Sequence, residues 1–190
     1  MTTKILDKYK ESIDFEDLWN MFHQMLEPFG VSSVFYAFGF SKILVEEQGI
    51  MDTTWSKTTH PEDFCKKYNY KDYIELDLSA IHCFVNTTPF VWHDRNMWGK
   101  PTKEQEAFML DAFNYKMGVG VSLPTRFNNY GAGGMGLATK DLSEKEFDEM
   151  WAKHSQEFQD ICYTFDAFAR DNYATQMFNL SKRELQVLTY

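Results

Sequence analysis

"GVGVSLPTRFNNYGAGGMGLATK" occupies residues 118–140, and its reading decides the fold. The Asn and Gly residues of the central NNYG (128–131) tolerate positive φ, so the chain can reverse there between two extended arms. A β-hairpin is predicted. Its second arm is so rich in glycine that the pattern alone leaves the register open.

Working outward, Thr102 and Gln105 form a capping box just after Pro101. They open a helix carrying Phe108, Leu110, Ala112 and Phe113, expected to end at Gly118. Beyond the hairpin, Ser143 and Glu146 form another capping box. It starts a long helix to about Arg170, with a stripe of Phe147, Met150, Trp151, His154, Phe158, Ile161, Phe165 and Phe168. Nearer the N-terminus, Phe15, Leu18, Trp19, Phe22, Met25 and Leu26 recur at helical spacing from Asp14 to about Phe29, closed by Gly30.

"SSVFYAFGFSK" (32–42) alternates as a strand does, with Phe35, Ala37 and Gly39 on one face and Val34, Tyr36 and Phe38 on the other. The small residues leave room above their face. A second strand is expected within "GIMDTTWSKT" (49–58). Pro61 opens a short helix through Tyr68, "LSAIHCFVN" (78–86) forms another that Pro89 ends, and residues 89–93 read as a short strand. Hairpins rather than crossovers join several strands. The expectation is therefore an α/β protein, an α/β/α sandwich on a largely antiparallel central sheet of about five strands.

Composition narrows the function classes. The 190 residues suffice for one domain with a real core, and no run approaches a membrane span of ~20 apolar residues. Cys65, Cys83 and Cys162 are an odd count without close pairing, which points to a reducing, cytoplasmic setting; no His/Cys cluster has zinc-ligand spacing. A net charge of −9 repels phosphate and argues against DNA binding by these residues themselves. Aromatic residues make up 17% of the chain, a supply that suits either a dense core or the wall of a ligand cavity.

"FCKKYNYKDYIELDLSAIHCFVNTTPFVW" (64–92) spaces Phe64, Tyr68, Asp77 and Trp92 by four, nine and fifteen residues. This resembles the ligand-binding domain of LuxR-type quorum-sensing regulators, a PAS/GAF-like sensor fold. Gly120, in "GVGVSLP", matches the family's glycine ahead of the hairpin. "LSKRELQVLTY" (180–190), with its Ser181/Glu184 capping box, resembles the first helix of the family's C-terminal helix-turn-helix. The resemblance implies an autoinducer-binding domain over 1–172. Residues 173–190 would then be a linker and the start of a truncated DNA-binding domain. It implies no cofactor. The implied partners are an N-acyl-homoserine lactone, a second copy of the chain, and promoter DNA through the missing helix-turn-helix; the rings of the long helix are the expected dimer surface.

Residue roles carry over as follows. Asp77 would accept the ligand's amide N–H, although Asp is also a good N-cap before Leu78 and Ser79. Tyr68 would donate to the acyl carbonyl, Trp92 would lie against the lactone ring, and Thr139 would supply a further hydroxyl. Each has a plain structural alternative: a half-buried ring, a core indole, a strand threonine. Phe108 and Ala112 match positions that close over the head group, though an i,i+4 apolar pair is ordinarily core. Gly120 would provide space. Phe64 stands where the family has a Trp that holds the lactone carbonyl, and Phe cannot donate; an unpartnered buried carbonyl costs roughly 1–3 kcal/mol. His60, where relatives have Tyr, could donate instead or be a loop residue in solvent.

Other classes are weaker. Asp77, His82 and Cys83 carry catalytic chemistry, but adjacent helix residues point about a hundred degrees apart, so His82 cannot readily activate Cys83. No P-loop or nucleophile elbow is present, and the chain is not expected to be an enzyme. A truncated relative that heterodimerises as an anti-activator, a sensor for a non-lactone signal, or a chromophore-binding sensor of similar architecture remain open.

Overall fold

The computed structural model describes residues 2–40, 54–70, 73–128 and 131–178. The hairpin tip at 129–130, the first part of the 49–58 segment and the fragment 180–190 lie outside the described residues. The chain divides into two compact units, one of residues 29–153 and another combining the segments before 29 and after 153.

The first unit holds a five-stranded sheet among the described residues, built from β1 (Ser33–Phe40), β2 (Thr54–Thr58), β3 (Phe90–Val91), β4 (Gly120–Asn128) and β5 (Gly131–Ala138). Its order is β2-β1-β5-β4-β3 and every neighbouring pair is antiparallel. The α/β class and the antiparallel sheet are as expected. Register sorts the residues into two faces. Val34, Leu137 and Val121 stand in one row, and Tyr36, Met135 and Leu123 in the next; all six are buried. On the opposite face, Phe35 pairs with Gly136 and Gly136 with Ser122, while Ala37 pairs with Gly134 and Gly134 with Pro124. That second face carries little side-chain bulk at its centre.

The open register of the glycine arm is settled by a β-bulge between Pro124 and Arg126. Pro124 has no N–H to give a ladder, and at that point β4 pairs with β5 while β3, among the described residues, reaches only Ser122 and Val121.

Three helices accompany this sheet: α3 (Glu62–Tyr70), α4 (Leu78–Val85) and α5 (Lys103–Asp111). Thr102 and Gln105 make the expected capping box of α5, with bonds of 3.2 and 2.9 Å. This helix does not run to Gly118. It stops at Asp111, tightens into a 3-10 turn over Ala112–Tyr115, and is ended by Lys116 at φ 58°, a left-handed residue that satisfies the last carbonyls without glycine.

The second unit contains α1 (Thr2–Tyr9), α2 (Phe15–Leu26) and most of α6 (Glu144–Phe178), whose first turns belong to the first unit. Asp14 caps α2 by accepting from Asp17 N–H at 2.8 Å, and Gly30, at φ 77°, lets the chain turn out of it. Phe165 is fully buried against Tyr9, Phe15, Trp19 and Phe22, stacking on Phe22 with centroids 4.0 Å apart. Helix α6 continues well past Arg170. The Tyr173 hydroxyl donates to the Ser12 carbonyl at 3.0 Å, and Gln176 accepts from Phe15 N–H at 3.2 Å. Residues 173–178 are thus helical, with Tyr173 and Gln176 bonded to the segment before α2.

Along the aromatic stripe of α6, Phe147, Phe158, Ile161 and Phe165 are buried in the chain's own packing, whereas Met150, Trp151, His154 and Phe168 are half-buried.

Candidate functional site

A cavity of about 490 Å³ opens over the bare face of the sheet. That size suits a small organic molecule, for which ~300–1,000 Å³ is typical. Its floor is Phe35, Ala37, Gly134, Gly136 and Ser122, and its walls come from α3, α4 and α5. Ile74 and Phe84 also line it while remaining 47% and 52% exposed, which marks where it opens.

Asp77 is the N-cap of α4 and a wall residue at once. Its Oδ1 accepts from Ser79 N–H (2.9 Å), Ala80 N–H (3.2 Å) and the Ser79 hydroxyl (2.7 Å), while Oδ2 accepts from the Tyr68 hydroxyl at 3.0 Å. The two readings of Asp77 are compatible: the cap occupies Oδ1, and Oδ2 keeps a lone pair. Burial pushes the carboxyl above its usual range, opposed by the bonds from Ser79, Ala80 and Tyr68. Burial and the Asp77 charge push the Tyr68 phenol up as well, so it remains a donor.

Phe64 lies in the wall between His60, Tyr68 and Tyr115, at centroid distances of 6.1, 5.9 and 5.5 Å. Trp92 is buried, its Nε1 donating to Ser122 Oγ at 2.8 Å, and its carbonyl accepts from Trp98 Nε1 at 2.8 Å. Its indole therefore offers the cavity a face rather than a donor. Phe108 and Ala112 are buried and line the cavity beside Met109 and Met117.

Two residues fall elsewhere. Thr139 follows the end of β5, buried, and its hydroxyl donates to the Val119 carbonyl at 3.2 Å outside the cavity lining. The β5 residues on the cavity floor are Gly134 and Gly136, which have no hydroxyl. Gly120 lies behind Trp92: a Cβ there would come within 2.7 Å of the indole and 2.3 Å of the Leu137 carbonyl. It makes room for Trp92, not directly for a ligand.

His60 is half-buried rather than a loop residue in solvent, with Nδ1 2.9 Å from Ser33 Oγ. Burial holds its pKa down at about 3, against near 6.5 for an unfolded chain. Between those values the unfolded state binds a proton that the folded state refuses. Stability should fall as pH drops from about 6.5 toward 3, by at most about 1.4 kcal/mol per unit from this group. Asp77, raised, works the other way at the acid end. Urea midpoints at pH 7 and 5 check this: wild type should lose more than His60→Gln, and parallel losses would refute the assignment.

Catalysis finds no support in the geometry. His82 Nε2 is 2.7 Å from the Thr88 carbonyl and Nδ1 is 3.2 Å from Asn86. Cys83 is pushed up to about 12 by burial and the Asp77 charge, so the thiol stays protonated. Among the described residues there is no His/Cys/Asp/Glu group that could hold a metal ion, and no helix long and apolar enough to cross a membrane.

Sequence reasoning missed Ser122, Cys65, Cys83, Met117, Gly134 and Gly136 as lining residues. Strand alternation continued through the hairpin could have found the glycines; the helical residues needed the packing.

The autoinducer-binding domain family model matches residues 14–166. The chain belongs to the autoinducer-binding domain family. The likeness of residues 64–92 to LuxR-type sensors holds. Among curated proteins, the transcriptional activator AnoR of Acinetobacter nosocomialis is 32% identical over 90 residues. That stretch is 46% of this chain and 36% of AnoR, so this chain matches only about a third of that relative's length.

Among solved structures, the N-acylhomoserine-lactone-dependent LuxR family factor CepR2 of Burkholderia cenocepacia superposes with a TM-score of 0.66 at 16% identity, covering 92% of this chain and 99% of CepR2. Escherichia coli SdiA gives 0.63 at 15% identity, over 99% of this chain and 76% of that one. SdiA in complex with octanoyl-rac-glycerol gives 0.64 at 13%, over 99% and 74%. These likenesses show a shared fold.

Proposed function

We propose that this domain senses an N-acyl-homoserine lactone or a related small amphiphile, and that binding stabilises a folded dimer and controls DNA binding by a C-terminal domain. In this reading residues 1–172 are the sensor and 173–190 lead into a helix-turn-helix, in a cytoplasmic regulator. The observation that carries it is the cavity itself: about 490 Å³ left unfilled by the chain's own side chains, with the Asp77 carboxylate and Tyr68 hydroxyl on its wall. An amide N–H would meet Asp77 Oδ2, and an acyl tail would bury against Phe108, Met109 and Met117 at ~0.8 kcal/mol per CH₂.

Phe64, which cannot donate, favours keeping a second head-group chemistry in view, and SdiA has been solved with an acylglycerol. The anti-activator reading has no particular observation in its favour.

A ligand that binds only the folded form stabilises it by RT ln(1 + [L]/Kd), about 4 kcal/mol at a thousandfold excess over Kd. For a chain of this size that is a rise of about 10 °C in melting temperature. Differential scanning fluorimetry with lactones of graded tail length, and with octanoyl-rac-glycerol, measures it. No response to any of them would defeat the proposal.

A further inference from the structure

The cavity wall is built from segments far apart in sequence. Helix α3 supplies Phe64 and Tyr68, while α5 and the 3-10 turn after it supply Phe108 and Ala112. Ring contacts cross the seam between them: Phe64 lies 5.5 Å from Tyr115, and Tyr68 and Tyr73 lie 5.8 and 4.9 Å from Phe108, centroid to centroid. Apolar burial is non-directional, so it does not by itself fix where along the seam the two segments stop.

A polar tie crosses the same seam. Lys67 Nζ donates to Asp111 Oδ2 and stands 5.2 Å from the centroid of the Tyr115 ring. Asp111 Oδ1 accepts from Asn114 Nδ2 at 3.1 Å, which helps to orient the carboxylate. The two side chains are 30% and 32% exposed, so salt in solution can reach the pair. Neither residue lines the cavity, yet each sits between two that do. Phe64 and Tyr68 bracket Lys67 along α3, and Phe108 and Ala112 bracket Asp111 in the same way. The pair therefore clamps the wall from outside.

We propose that Lys67 and Asp111 form a latch across the seam between α3 and α5, which sets how fast the cavity opens to exchange its occupant and not how tightly the occupant is held. This rests on the reading of the cavity as a ligand site. A contact made equally in the empty and the occupied forms leaves affinity unchanged. The same contact must break in the open form between them, so it slows entry and release alike. In sequence α3 runs on to Ile74, a residue of the mouth, so freeing its last turns from α5 loosens the rim.

The test uses the full chain with Lys67→Met, Asp111→Asn and the double variant. Stopped-flow tryptophan fluorescence, sensitive to Trp92 in the wall, gives entry and release rates for N-octanoyl-homoserine lactone and octanoyl-rac-glycerol. Both rates should rise more than twofold and up to about tenfold in each single variant, with equilibrium affinity within about twofold of wild type. The double variant should be no faster than either single one, because the same contact is lost. Salt at about 1 M, where charges are screened beyond ~3 Å, should speed exchange in wild type and not in the variants.

A second arm needs no ligand. Cys83 lines the cavity, whereas Cys162 is fully buried in α6. Labelling by methyl methanethiosulfonate, located by peptide mass spectrometry, should quicken at Cys83 in the variants by the factor seen for exchange, and stay unchanged at Cys162. Rates within about twofold of wild type overturn the latch, as does lost affinity without faster exchange. Equal quickening at Cys162 would mean general loosening and overturns it too. If wild type binds neither probe, the ligand reading has failed, and labelling at Cys83 alone decides whether the latch exists.

Discussion

Asp77→Ala should abolish most of the ligand-induced rise in melting temperature and also weaken the ligand-free protein by about 1–3 kcal/mol. Both losses come from one carboxylate. Without it, the N–H groups of Ser79 and Ala80 lose their cap, and the Tyr68 hydroxyl loses its acceptor. Relief of the buried charge offsets part of this, since burial already raises the carboxyl's pKa. Alanine alone therefore cannot separate cap from ligand contact.

Asp77→Asn does separate them. The amide oxygen still caps α4, and the amide N–H₂ can donate to a Tyr68 hydroxyl that turns to accept. The fold should stay within about 1 kcal/mol of wild type. The cavity wall would now present a donor where a ligand amide N–H needs an acceptor. A charge-assisted bond is worth about 1.5–3 kcal/mol, so affinity should fall by about 10- to 150-fold. Calorimetric titration beside urea unfolding reads both quantities, and an asparagine variant that binds like wild type would leave Asp77 a helix cap only.

Phe165→Ala should cost about 3–5 kcal/mol, a large share of the ~5–15 kcal/mol that holds a domain folded. The ring is fully buried, and Tyr9, Phe15, Trp19 and Phe22 surround it, so its loss leaves a gap that rigid rings cannot collapse into. Urea unfolding followed by tryptophan fluorescence measures it through Trp19. A cost under about 1 kcal/mol would mean the cluster is not the core it looks to be.

These effects show which parts of the molecule were legible beforehand. The capping boxes at Thr102 and Ser143 placed two helix starts, because a cap is a local bond between residues three apart. Strand β1 was legible through its alternation. Helix α1 was not: its eight residues bury only Ile5 and Tyr9, one i,i+4 pair, too short a stripe to stand out. The end of α5 was misplaced because Lys116 takes up a left-handed conformation for which glycine is the usual signal.

At the cavity, the resemblance to LuxR-type sensors singled out Phe64, Tyr68, Asp77, Trp92, Phe108 and Ala112, and these do line it. Thr139 and Gly120 were assigned by position along the hairpin, but Thr139 lies past the end of β5 and Gly120 lies against the Trp92 indole. Hydrogen-bond partners lay further out of reach. Ser33 and His60 are 27 residues apart, and Trp92 and Ser122 are 30 apart.

By itself the sequence determined where most helices and strands begin and that the sheet is antiparallel. Those follow from interactions a few residues long. Only tertiary structure decided that Phe147, Phe158 and Phe165 of the long helix are core, that Asp77 divides its oxygens between a cap and Tyr68, and that Gly134 and Gly136 rather than Thr139 line the cavity. Such outcomes depend on which distant segments share a sheet row or a wall, and local patterns carry no record of that pairing.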